Sequence, residues 1–118
     1  ATAADVAKLL DSLDPQSPSV HVISSESMDL IKLPATPQGV TPLWDYGLGL
    51  RLFVSGEWGH SGSIENVHAM VVHRPDGLVV SVLVNGTKPK ETDDLIGAIN
   101  DAVLAARTGV AATTTIAP

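Results

Sequence analysis

The stretch Leu78-Val79-Val80-Ser81-Val82-Leu83-Val84 sets the tightest limit on what this chain can fold into. It is rich in β-branched residues and shows almost no polar alternation, the pattern of a strand covered on both faces. A sheet that contains it needs a layer on each side. Arg74-Pro75-Asp76-Gly77, just upstream, is a strong hairpin-turn signal, because proline presets φ and Asp and Gly suit the residues that follow. The turn leads back to a second apolar strand, from about Val67 to His73. A third, Tyr46 to Val54, carries Gly47 and Gly49 near its start, where a bulge or close backbone approach is expected. The expected fold is α+β, with a three-stranded antiparallel sheet in meander order.

Two helical patterns supply the layers. Thr2 and Asp5 have the spacing of a capping box, and Val6, Leu9, Leu10 and Leu13 repeat at helical spacing, which predicts a helix from about Ala3 to Leu13. Asp14-Pro15 and Ser17-Pro18 end it. A second helix is expected to start between Glu91 and Asp93, where Asp93 and Asp94 suit the positive end of the helix dipole, and to stop at Arg107 and Gly109. Its buried face is Leu95, Ile99, Val103 and Ala106. The C-terminal helix therefore covers one face of the sheet, and the N-terminal helix plus loop partly covers the other. Between Ser19 and Pro42 the pattern is irregular, with one or two helical turns from Ser25 to Leu33 and a loop marked by Pro34, Pro37, Gly39 and Pro42. Residues 1–109 read as one domain and 110–118 as a flexible tail.

Composition narrows the function classes. With 118 residues and 44% hydrophobic content the chain can build one modest core. A formal charge of -6 argues against nucleic acid, since phosphate neutralisation needs clustered Lys and Arg. No apolar run approaches the roughly 20 residues of a membrane span. The absence of cysteine excludes disulfides, thiolate catalysis and zinc-cysteine sites. His21, His60, His68 and His73 have no metal-ligand spacing, so neither metal nor cofactor is expected. Ala1-Thr2-Ala3-Ala4 enters a helix almost at once without an initiator Met, which suggests a piece of something longer.

Trp58-Gly59-His60-Ser61-Gly62-Ser63-Ile64 reads as a glycine-flanked turn that delivers a histidine and two hydroxyls to the start of an apolar strand. Taken alone, it is a tight connection between antiparallel strands. His60 and Ser61 are adjacent, so on a strand they point to opposite faces, and no orienting carboxylate accompanies them; a self-contained triad is not expected. Glu57 and Glu65 flank the turn and are expected to be solvated, with pairing to His60 as the alternative, because exposed pairs contribute little. Trp44 and Trp58 are expected to cover the sheet edge with their N–H groups in water, or, for Trp58, to line a cleft entrance.

The order of these pieces resembles the C-terminal part of the penicillin-recognising serine hydrolases, the class C β-lactamases, D,D-carboxypeptidases and related esterases. Tyr46-Gly47-Leu48-Gly49, His60-Ser61-Gly62 and Leu78 to Asn85 carry the resemblance, which extends over most of Thr2 to Arg107. In that family a basic residue, a hydroxyl residue and a glycine on the strand edging the cleft form the third active-site motif. His60-Ser61-Gly62 matches it, with His in place of the commoner Lys. The resemblance implies that His60 and Ser61 hold a substrate carboxylate, that Gly62 leaves room for the ligand, and that the backbone N–H of Ser63 is one donor of the oxyanion hole.

The family's nucleophile motif, Ser-x-x-Lys, and its second motif, Tyr-x-Asn or Ser-x-Asn, do not occur. No catalytic residue is therefore assigned in this chain; the nucleophile is expected in an upstream part of the same polypeptide. An acyl-D-amino acid, a β-lactam or an ester is the implied ligand, and export to the cell envelope the implied location. The competing expectation is a non-catalytic interaction domain that uses an exposed sheet face for a partner or for self-association.

Overall fold

A computed structural model describes residues 1–35, 44–86 and 89–109, the side chains of 89–96 excepted. The elements run α1 (Ala3–Asp11), α2 (Ser25–Ile31), β1 (Trp44–Tyr46), β2 (Arg51–Phe53), β3 (Trp58–Ile64), β4 (Val67–His73), β5 (Val79–Asn85) and α3 (Pro89–Thr108). The class is α+β and the sheet is an antiparallel meander, but it has five strands in the order β1-β2-β3-β4-β5 rather than the expected three.

Two local features account for the difference. The run expected as one strand from Tyr46 to Val54 is broken into a hairpin at Gly47-Leu48-Gly49-Leu50, where the Gly47 N–H donates to the Leu50 carbonyl at 2.8 Å and Gly49 adopts φ +80°. Gly47 passes so close to the end of α2 that a Cβ would lie 2.2 Å from the Ile31 carbonyl oxygen. The second correction is Trp58–Ile64, which is a strand and not a turn. It pairs with β4 over its full length, from Trp58 opposite His73 to Ile64 opposite Val67, and the reversal falls at Glu65-Asn66, with Asn66 at φ 67°. Asparagine tolerates that left-handed conformation better than most residues.

The capping box forms as expected: Thr2 Oγ1 accepts from the Asp5 N–H while the Asp5 carboxylate accepts from the Thr2 N–H. Both bonds favour the ionised carboxylate, with the backbone N–H of Thr2 the larger cause, and hold the Asp5 carboxyl below its ordinary value. Leu10 of α1, Met28 of α2, Leu50 and Trp58 make the buried core, with Leu52, Val71 and Val79 packed against them. By register, Leu52, Trp58, Val71 and Val79 share one sheet face, so α1 and α2 lie there. The opposite face buries Val80, Val82 and His68, and α3 packs against β4 and β5 to cover it. Arg74 and Arg107 fasten α3 to the sheet: Arg74 Nη1 donates to Asn100 Oδ1 at 2.8 Å, and Arg107 Nε lies 2.9 Å from Asp76 Oδ2. Ile99 and Val103 are half-buried on α3, whereas Ala106 is exposed. The expected inward position of Leu95, the loop of Pro37 to Pro42 and the tail 110–118 lie outside the described residues.

Trp58 is a core residue, 5% exposed, rather than an edge cover or an entrance to a cleft. The His73 ring stacks on it with centroids 4.6 Å apart, and the Lys32 ammonium lies 4.4 Å from the indole centroid. His73 Nε2 lies 3.0 Å from Asp14 Oδ2. Burial is the largest influence on Lys32 and lowers its pKa from the usual lysine value, against the opposing charges of Asp14 and Asp29. The unfolded chain therefore binds more protons than the folded one in the window just below 10.5, so stability contributed by this group rises as pH climbs through that window. Lys32→Met keeps the stem against Trp58 and removes the titration. In urea titrations at pH 8 and pH 10.5, the wild type is expected to gain stability relative to Lys32→Met at the higher pH.

Candidate functional site

β3 is paired on both sides only at its beginning. Arg51 lies opposite Gly59 and Leu52 opposite Trp58, and β2 goes no further. From His60 to Ile64, no strand among the described residues occupies the side of β3 away from β4. The direction of the backbone groups along that open edge follows from the ladder. Ile64 and Val67 flank a two-residue loop and form a hydrogen-bonded pair, so Ile64, Gly62 and His60 turn their N–H groups towards β4. Ser61 and Ser63 turn theirs outward. The other end agrees, since Phe53 N–H donates to the Glu57 carbonyl and places Glu57, Gly59, Ser61 and Ser63 in the set that faces away from β4.

The side chains of the motif separate. Ser61 and Ser63 share the face of Arg51, while Gly62 faces the α1 side. There, Val6, His60, Gly62, Ala69, Val71 and Leu83 line a shallow cleft of about 140 Å³. His60 is held by Tyr46, whose hydroxyl lies 2.5 Å from His60 Nε2 with the two rings edge-to-face at 87°. His60 and Ser61 therefore do not converge on one point, and neither flanking glutamate reaches His60: Glu57 pairs with Arg74 at 3.3 Å and Glu65 is exposed in the turn.

The residue that joins Ser61 is Arg51, which the motif reading did not single out. Arg51 Nη1 donates to Ser61 Oγ at 2.7 Å, and its guanidinium lies 4.8 Å from the Trp44 ring centroid. Because arginine can only donate, the Ser61 oxygen accepts and its own O–H is left to donate elsewhere. Arg51 Nε is buried without a hydrogen-bond partner. Of the three arginines, Arg74 and Arg107 pair with carboxylates, while Arg51 has none within 4.0 Å among the described residues. In a chain with 13 acidic residues, a guanidinium that bonds Ser61 and has no carboxylate beside it among the described residues marks a place suited to an anion. A charge count against seven basic residues was the available signal, but it does not say which arginine lacks a partner.

Ser63 Oγ is hydrogen-bonded to His68 Nδ1 across the ladder. His68 and His73 lie on opposite faces, as their spacing requires, and no group of three potential metal ligands occurs among the described residues. Compared with family sequence patterns, with characterised proteins and with solved structures, the chain gives no match.

The two central glycines of β3 have different causes. A Cβ on Gly59 would lie 2.1 Å from the Val71 carbonyl oxygen, so packing against β4 demands glycine there. At Gly62 a Cβ would meet nothing within 4 Å. Gly59→Ala is expected to destabilise by about 2 kcal/mol or more, through forced backbone displacement, whereas Gly62→Ala should stay within about 0.5 kcal/mol of the wild type. Urea unfolding of both variants measures the difference.

Proposed function

We propose that this chain is the C-terminal segment of a serine β-lactamase-like hydrolase or penicillin-binding protein, carrying one wall of the acyl-ligand cleft and not the nucleophile. The open edge of β3 carries this reading. An extended ligand laid along it meets the outward N–H groups of Ser61 and Ser63, the Ser61 hydroxyl and, through that hydroxyl, Arg51. The ligand carboxylate goes to Ser61 and Arg51 and its acyl carbonyl to the Ser63 N–H, the group positioned to stabilise a tetrahedral oxyanion when a serine attacks. Gly62 leaves the strand unobstructed on the cleft side, and Tyr46 holds His60 beside it. The attacking serine and its activating lysine belong to an upstream part of the polypeptide. β5 supports the same reading, because its outer edge is unpaired among the described residues and lacks the charges, prolines or bulges that protect natural edges.

The test is a titration of the isotope-labelled chain with N-acetyl-D-alanine, followed by amide resonances. Shifts are expected at Ser61 to Ser63, and Arg51→Gln should weaken binding by about tenfold or more, the scale of a hydrogen bond to a charged group. Shifts confined to other regions would overturn the assignment. The isolated chain should not turn over a chromogenic β-lactam; turnover abolished by Ser61→Ala would place the nucleophile here instead.

The same β5 edge favours a second reading, a non-catalytic domain that pairs with itself or a partner. Ile64, Val67 and Leu83 are 80%, 50% and 43% exposed and add apolar surface near the far end of the strands. Light scattering separates the two readings: a concentration-independent monomer counts against self-association.

A further inference from the structure

His68 is a buried titratable group that the reading above leaves without a role. It is 4% exposed, stands directly opposite Ser63 in the ladder, bonds the Ser63 hydroxyl through Nδ1, and has no hydrogen-bond partner at Nε2 among the described residues. The tautomer follows from that burial. A proton on Nε2 would be an orphaned buried donor, which folded proteins tolerate less than an unused acceptor. The proton therefore sits on Nδ1 and is donated to Ser63 Oγ.

Ser63 needs such a restraint. It lies next to the Glu65-Asn66 turn, is exposed, and among the described residues has a strand neighbour on one side only. Strand ends with these properties are where local opening concentrates. We propose that His68 is a positioning residue, which holds the Ser63 side chain across the ladder and so keeps the Ser63 N–H aimed at the open edge to receive the carbonyl oxygen of an N-acyl amino acid. This rests on the reading of the β3 edge as an acyl-ligand wall. Ser61 and Ser63 are two residues apart, about 6.6 Å along the strand, a separation that lets one small ligand place its carboxylate on the first and its acyl carbonyl on the second.

Two ligands distinguish positioning from general support. N-acetyl-D-alanine uses both contacts, whereas acetate uses only the Ser61 and Arg51 end. In amide-resonance titrations His68→Leu is expected to weaken N-acetyl-D-alanine about tenfold, the effect of losing one hydrogen bond, and to leave acetate within about twofold. His68→Asn, whose side-chain amide can donate from nearly the same place as Nδ1, should restore most of the loss. Should the leucine variant fail to fold, Ser63→Ala carries the same expectation, since it removes the hydroxyl and keeps the N–H. Equal weakening of both ligands, or none of either, overturns the positioning role while leaving the wall intact. Absence of N-acetyl-D-alanine binding by the wild type overturns the wall and this role together.

Discussion

The sheet is continuous across its width through two residues, Trp58 and Gly59, which among the described residues are the only part of β3 with a strand on each side. The rest of the structure depends on that crossing. On one side of it the β1-β2 hairpin is attached, and with it the closing contacts to the end of α2, where Leu48 N–H donates to the Ile31 carbonyl at 2.9 Å and Ala35 N–H to the Tyr46 carbonyl at 2.7 Å. The Trp58 indole occupies the same crossing and gathers Leu10, Met28 and Leu50 around it. Gly59 contributes by having no side chain, since β4 runs against its Cα. Beyond this point β2 ends, and β3 continues with one edge satisfied by β4 and the other open among the described residues. A buried, closed half and an open half follow from where a three-residue strand stops.

Much of this was legible where one kind of signal acted alone. The unbroken apolar run of β5, the Arg74 to Gly77 turn and the Thr2-Asp5 box appear in the fold as the sequence implies, because chain-local physics decides them. The strands around the glycines were harder. Gly and Ser are poor strand formers, so Trp58 to Ile64 looked like a turn; its conformation is set by seven successive pairings with β4, a tertiary effect that local propensity does not report. Tyr46 to Val54 failed in the opposite sense. Its apolar residues suggested one continuous strand, while Gly47 and Gly49 were needed for a reversal beneath α2 that only the packed structure makes visible.

The site shows the same division. His60, Ser61, Gly62 and Ser63 stand out in sequence because their types cluster. Which of their atoms face a common point does not, because a strand sends alternate side chains apart while sending alternate backbone groups to one edge. The useful convergence is therefore between the outward N–H groups of Ser61 and Ser63, not between the His60 and Ser61 side chains. Arg51 enters from another strand, ten positions upstream of Ser61, and nothing in an apolar run announces an arginine that has no carboxylate beside it among the described residues.

Electrostatics explains why that arginine matters more than its count suggests. The chain carries a formal charge of -6, so an anion approaching most of its surface meets repulsion. Among the described residues, Arg51 contacts Trp44 and Ser61 and stands opposite Tyr46, with Ser63 and His68 further along the same face, none of them acidic. The guanidinium is partly withdrawn from water against the indole, which reduces screening and strengthens its pull on a nearby charge. A guanidinium held by a hydroxyl and an indole, with no carboxylate within 4.0 Å among the described residues, keeps its charge available to an anion. The Ser61 hydroxyl leaves a donor on the side of β3 where, among the described residues, the backbone is also unpaired, so charge, hydroxyl and main chain lie along one edge.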